Sequence, residues 1–149
     1  MRNNPEEKMI SEGLNIFIKS KDWSVRHEAA RLGYGLDVLV NDESYDIRCE
    51  VAKHGYSLDK LVNDQNWHVR YEVANQAYGL DKLVNDPSWI VRQTVAQRGY
   101  GLEILINDPD WHVRYEVAKQ RFGLSILIND ENSEVRETSR ILNKMLLMQ

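Results

Sequence analysis

The chain has 149 residues and a formal net charge of −4 at pH 7, with 42% hydrophobic and 28% charged residues. That balance belongs to a folded globular protein and excludes a disordered one, while the negative sign argues against a nucleic acid as the main ligand. A single cysteine, Cys49, excludes an intrachain disulfide framework and any multi-thiolate metal or iron–sulfur site.

A first helix is expected from near Pro5. This opening stretch, MRNNPEEKMISEG, has no apolar signal core, and no run approaches the ~18 apolar residues of a membrane span. The cytoplasm is therefore the expected location, with no membrane partner. Residues 13–18, GLNIFI, read as a half-repeat. From residue 19 the chain repeats itself every 22 residues. Trp23, Tyr45, Trp67, Trp89 and Trp111 fall in one column, and Val25, Ile47, Val69, Val91, Val113 and Val135 in another. Beside the valines stand Arg26, Arg48, Arg70, Arg92, Arg114 and Arg136.

Each copy predicts a helix, a turn and a short second helix. Asp22, Ser44, Asn66, Ser88, Asp110 and Asn132 precede the aromatic column, and all are favoured N-caps. About ten residues on, Gly33, Gly55 and Gly99 suit the left-handed turn that ends a helix. Ala77 and Arg121 hold that place in two copies, where the turn must be strained or differently built. An aromatic follows (Tyr34, Tyr56, Tyr78, Tyr100, Phe122), then an apolar segment such as GLDKLV, long enough for a turn and a half of α-helix or a 3₁₀ turn. Asn-Asp closes the unit with a loop signal. At the end, SEVRETSRILNKMLLM lacks the glycine turn and predicts one long amphipathic helix from about Ser133. The expected organisation is one repeat domain over 1–149, with a cap and half-repeat at 1–18, five full repeats over 19–128 and a capping helix over 129–149.

A helical wheel of residues 111–121 gathers Val113, Val117 and Ala118 on one side, with Trp111 at its margin. His112, Tyr115, Glu116 and Lys119 gather on the other side, as does Cys49 in its own copy. Arg114 lands in the apolar side, where a guanidinium that cannot deprotonate needs a partner. Asp42, Asp64, Asp86, Asp108 and Asp130 each lie six residues before an arginine of the column. Arg48, Arg70, Arg92, Arg114 and Arg136 are therefore expected to form a structural ladder with these carboxylates, within a unit or between neighbours. The competing reading is a row of phosphate-binding arginines.

These motifs carry a resemblance. Aspartate with valine five and arginine six residues later resembles the start of the second helix in HEAT repeats. The unit D-x₄-VR-x₃-A followed by LxxLVND is still more similar to the leucine-rich repeat variant family, over roughly residues 19 to 142. At 22 residues the unit is shorter than is usual in either family. The resemblance implies an all-α, right-handed α-solenoid of about six helix–turn–short helix repeats, acting as a binding scaffold. The iron–sulfur cluster linked to one leucine-rich repeat variant protein is not implied, because its cysteines are absent.

Catalysis needs a convergent group of residues, and the columns supply none. His68 and His112 share a column two copies apart, hence ~20 Å apart at helix-stacking distances, far beyond a shared zinc. No metal, cofactor or catalytic residue is expected. Positions that differ among copies mark the candidate partner face: His68, Tyr71, Ile90, Gln93, His112 and Tyr115. Histidine and tyrosine suit protein contacts, and acids outnumber bases on this side, the reverse of a phosphate surface. The expected function is a non-catalytic scaffold binding a protein or peptide. The alternatives are a HEAT-like nucleic-acid-binding module, and a spacer or self-assembly element using the apolar end of the last helix.

Overall fold

The computed structural model describes residues 13–148, in which all regular structure is helical. Helical residues 13–18 form α1. Nine-residue helices then alternate with single-turn helices: α2 (Trp23–Arg31), α3 (Leu36–Leu39), α4 (Tyr45–Lys53), α5 (Leu58–Leu61), α6 (Trp67–Asn75), α7 (Leu80–Leu83), α8 (Trp89–Gln97), α9 (Leu102–Leu105), α10 (Trp111–Lys119) and α11 (Leu124–Leu127). The last helix, α12 (Ser133–Leu147), runs for 15 residues. Every unit of the predicted period is thus a helix, a turn and a short helix.

The chain divides between Gln76 and Ala77 into two compact units. In the first, α4 packs between α2 and α6; in the second, α10 packs between α8 and α12. Within each unit the short helices lie against the long ones that flank them in sequence, α3 against α2 and α4, for example, and α11 against α10 and α12. This is α-solenoid stacking, in which each repeat buries its apolar side on its neighbours. The valine, alanine and leucine columns form the core: Ile47, Val51, Leu61, Val69 and Val73 in the first unit, and Val91, Val95, Leu105, Val113 and Val117 in the second, are almost inaccessible to solvent.

Caps and turns set the element lengths. Asp22, Asn66, Asp110 and Asn132 each accept the backbone N–H two residues on, which fixes the start of the helix. Ser44 and Ser88 occupy the same place with no side-chain cap bond. At the other end, the Gly55 N–H bonds the Ala52 carbonyl and the Tyr56 N–H reaches back to Val51, the paired arrangement that a left-handed residue allows. Ala77 and Arg121 keep this left-handed backbone, with φ of 55° and 60°. The chain therefore accepts the strain at these two places instead of building another turn.

The second glycine column opens the short helices, and there a side chain of the preceding repeat also comes close. A Cβ at Gly101 would lie 2.6 Å from Cγ2 of Val84 in the preceding repeat. The short helices mix both ladders. In α3 the Leu39 N–H bonds Gly35 four residues back, whereas the flanking Val38 and Asn41 N–H groups bond three residues back.

The wheel misplaces two residues. Glu116 and Cys49, expected on the polar side, are buried, at 4% and 8% exposure. A wheel assumes a single covered face, but a long helix inside a stack has a long helix on each flank and short helices behind. In α4 and α10 the positions late in the helix that stay open include Lys53 and Lys119.

Candidate binding surface

The arginine ladder decides which charges remain for a ligand. Arg48 donates from Nε to Asp64 Oδ2 at 2.7 Å and from Nη2 to Asp64 Oδ1 at 2.9 Å. The same two-pronged pair joins Arg26 to Asp42, Arg92 to Asp108 and Arg114 to Asp130. The carboxylate thus comes from sixteen residues ahead, in the loop of the following repeat. The residue six behind contributes its backbone instead: Nη1 of Arg48, Arg70, Arg92, Arg114 and Arg136 donates to the carbonyl of Asp42, Asp64, Asp86, Asp108 and Asp130. One guanidinium therefore ties its own entry loop to the next.

Each aspartate has a second task. Oδ1 of Asp42, Asp64, Asp86, Asp108 and Asp130 accepts the N–H of the helix-capping residue two positions on, at 2.8–2.9 Å. Burial pushes the carboxyl groups of Asp42, Asp64 and Asp130 up, but bonds from Arg26, Arg48 and Arg114 and from the cap N–H groups outweigh it and leave them below the ordinary range. The reciprocal carboxylate bonds raise Arg26, Arg48, Arg92 and Arg114 above the usual arginine value. Arg26, Arg48 and Arg114 are at most 9% exposed. They lie inside the stack and cannot grip a phosphate without giving up these bonds.

A second ladder escaped the sequence reading. After α4, α6 and α10 the next residue reaches back to the last carbonyl of the preceding long helix: His54 Nε2 contacts the Arg31 oxygen at 3.0 Å, Gln76 Nε2 donates to Lys53 and Gln120 Nε2 to Gln97. These bonds satisfy orphan carbonyls at helix C-termini. The signal was present as His54, Gln76 and Gln120 one residue before the left-handed turn position, but polar residues there also suit a solvated turn.

The six candidate partner-facing residues, His68, Tyr71, Ile90, Gln93, His112 and Tyr115, are all half-buried. In the second unit the His112 ring stacks on Trp111 at 3.8 Å and on Trp89 of the previous repeat at 4.4 Å between centroids. Tyr115 meets Trp111 edge-on at 6.4 Å, and Lys119 Nζ lies 5.9 Å from the Tyr115 ring centre. Asp110 Oδ1 holds His112 Nδ1 at 2.9 Å, which fixes the ring. The first unit repeats the motif, with His68 stacked on Trp67 and on Tyr45, and its Nδ1 held by Asn66 Oδ1 at 3.0 Å. Trp89 and Tyr45 therefore pack against the histidine of the next repeat, and each unit leaves an aromatic edge half in solvent. Ile90 and Gln93 flank the second-unit stack on α8, and Tyr71 follows His68 on α6.

The turn aromatics Tyr34, Tyr56, Tyr78, Tyr100 and Phe122 form another half-open row, each 38–48% exposed. Burial pushes the Cys49 thiol up to about 12, and the nearby Glu72 carboxylate adds to the shift. Among the described residues no cluster of three or more His, Cys, Asp or Glu could hold a metal ion. Among the same residues no helix is long and apolar enough to cross a membrane.

Fold and surface together define an all-helical repeat protein of 22-residue units whose column arginines bond its own loops. No protein-family model matches the chain, and no curated protein does either.

Proposed function

We propose that the protein is a non-catalytic scaffold that binds a segment of another protein on the aromatic edge of its long helices. The observation that carries this reading is the run Trp89–His112–Trp111–Tyr115, fixed by stacking and by Asp110 yet half open to solvent. Preorganised aromatic rings bury 150–250 Å² each and lose little entropy on binding, which is why tyrosine and tryptophan dominate interface hot spots. The Asp110 carboxylate beside the stack and the net charge of −4 favour a neutral or basic segment over a polyanion. Nucleic-acid binding would need the ladder arginines in the open, and at least four of them hold carboxylates. The relationship to HEAT and leucine-rich repeat variant proteins is proposed on the same grounds, from the Asp–Val–Arg spacing and the short second helix.

The test is affinity capture of a partner, followed by titration of that partner into the pure protein while tryptophan emission is recorded. Trp89 and Trp111 should report binding, and Tyr115→Ala should weaken it at least tenfold with an unchanged unfolding midpoint. Affinity unchanged from the parent in both the Tyr115→Ala and Tyr71→Ala variants would remove the proposal. Tight, strongly salt-dependent binding of an oligonucleotide would replace it with the nucleic-acid reading.

A further inference from the structure

The aromatic stack of the second unit ends at Trp111, beyond which no ring of the described residues stacks. Trp89 and Trp111 take the two faces of the His112 imidazole, at 4.4 and 3.8 Å between centroids, so the order runs Trp89, His112, Trp111 from α8 across α10. The next place in that order falls to α12, which packs on the other flank of α10. One period after Trp111 and His112 stand Ser133 and Glu134. Asn132 Oδ1 holds the Glu134 N–H at 2.9 Å, as Asp110 Oδ1 holds that of His112 at 2.9 Å, so both side chains leave the helix start from the same backbone geometry. Where His112 covers Trp89, the next repeat therefore brings a carboxylate beside Trp111 instead of a ring. Glu134 is exposed and joins no ion pair among the described residues. Its neighbours are matched, Glu116 with Lys119 and Glu137 with Arg140.

We infer that this corner, the Trp111 face with Glu134 beside it, takes an arginine side chain of the partner; the inference rests on the scaffold reading and names the group that the aromatic edge recognises. Three features select a guanidinium. A cation is attracted to an indole face, and a flat one continues the stack as a further layer, which an ammonium does not. Its fork of donors meets a carboxylate at the side of the ring, and such charge-assisted bonds are the strong ones. The protein already sets a cation on this edge, with Lys119 Nζ 5.9 Å from the Tyr115 ring centre. An apolar side chain would desolvate Glu134 without a partner, and a phosphate would meet Glu134 and Asp110 with like charge.

Titration of acetyl-glycyl-arginyl-glycine amide into the intact chain, followed by NMR through the tryptophan indole N–H signals, tests the inference. The Trp111 signal should move and saturate while the Trp23 signal stays, and the citrulline peptide, of the same shape but uncharged, should move neither. Glu134→Gln should weaken binding at least about threefold. Glu103→Gln, which removes the same charge from the exposed side of α9, should bind as the parent does, with the helical spectrum and urea midpoint unchanged in both variants. Equal binding of the arginine and citrulline peptides, or parental affinity in Glu134→Gln, would overturn it. So would an equal loss in Glu103→Gln, which would mark attraction by net charge alone. A captured partner that senses Tyr115→Ala but not Glu134→Gln would overturn this inference and leave the scaffold reading in place.

Discussion

Asp108→Ala tests the ladder most directly. Arg92 holds this carboxylate through Nε at 2.6 Å and Nη2 at 2.8 Å, and the aspartate side chain is 3% exposed. Truncation leaves a cation that cannot deprotonate facing a gap, with only its Nη1 bonds to the Asp86 and Pro87 carbonyls intact. Breaking one side of a buried pair costs about 3–5 kcal/mol. The Arg92 side chain is 14% exposed, so water relieves part of this and the lower end, ~3 kcal/mol, is expected. The lost bond to the Asp110 N–H adds a capping contribution of ~1 kcal/mol. The assay is urea unfolding followed by circular dichroism, with midpoint and slope both reported because repeat arrays can lose cooperativity. Removing both charges, in Arg92→Met/Asp108→Leu, should restore most of the loss. A loss below ~0.5 kcal/mol for the single variant, in the range of exposed ion pairs, would refute the buried ladder.

The carboxyl groups of Asp42, Asp64 and Asp130 are held below their ordinary range, so their contribution to stability is present above about pH 4 and is lost as pH falls through the folded values. The urea midpoint should be nearly flat from about pH 7 to 5 and drop steeply below about 4; a midpoint unchanged at about pH 2.5 would contradict the ladder. Arg121→Gly should raise stability by ~0.5–1 kcal/mol by relieving the left-handed strain at φ 60°, seen as a higher melting temperature; a lower one would mean that the arginine side chain matters more than its backbone. Cys49, buried with its thiol pushed up to about 12, should resist iodoacetamide in the native protein and react once urea unfolds it; rapid native labelling would place it at the surface.

The period of 22, the two-helix unit and the capping residues were legible because each rests on local chemistry: an N-cap oxygen, a left-handed glycine, a valine or leucine every turn. The need for a partner on each core arginine was legible too, since a guanidinium cannot be neutralised. Which aspartate supplies the carboxylate was not. In a 22-residue repeat the aspartate six behind one arginine and the aspartate sixteen ahead of the previous one are the same residue, so sequence spacing fits both pairings equally well. Only the stacking of one loop under the next brings the carboxylate of Asp64 to Arg48 while Asp42 offers its carbonyl. Stacking likewise buried Glu116 and Cys49, because a neighbour on each flank covers positions that an isolated helix would leave in water. The sequence by itself determined the elements and their repetition; the lateral contact between repeats decided the direction of every bond between them and left an aromatic edge open.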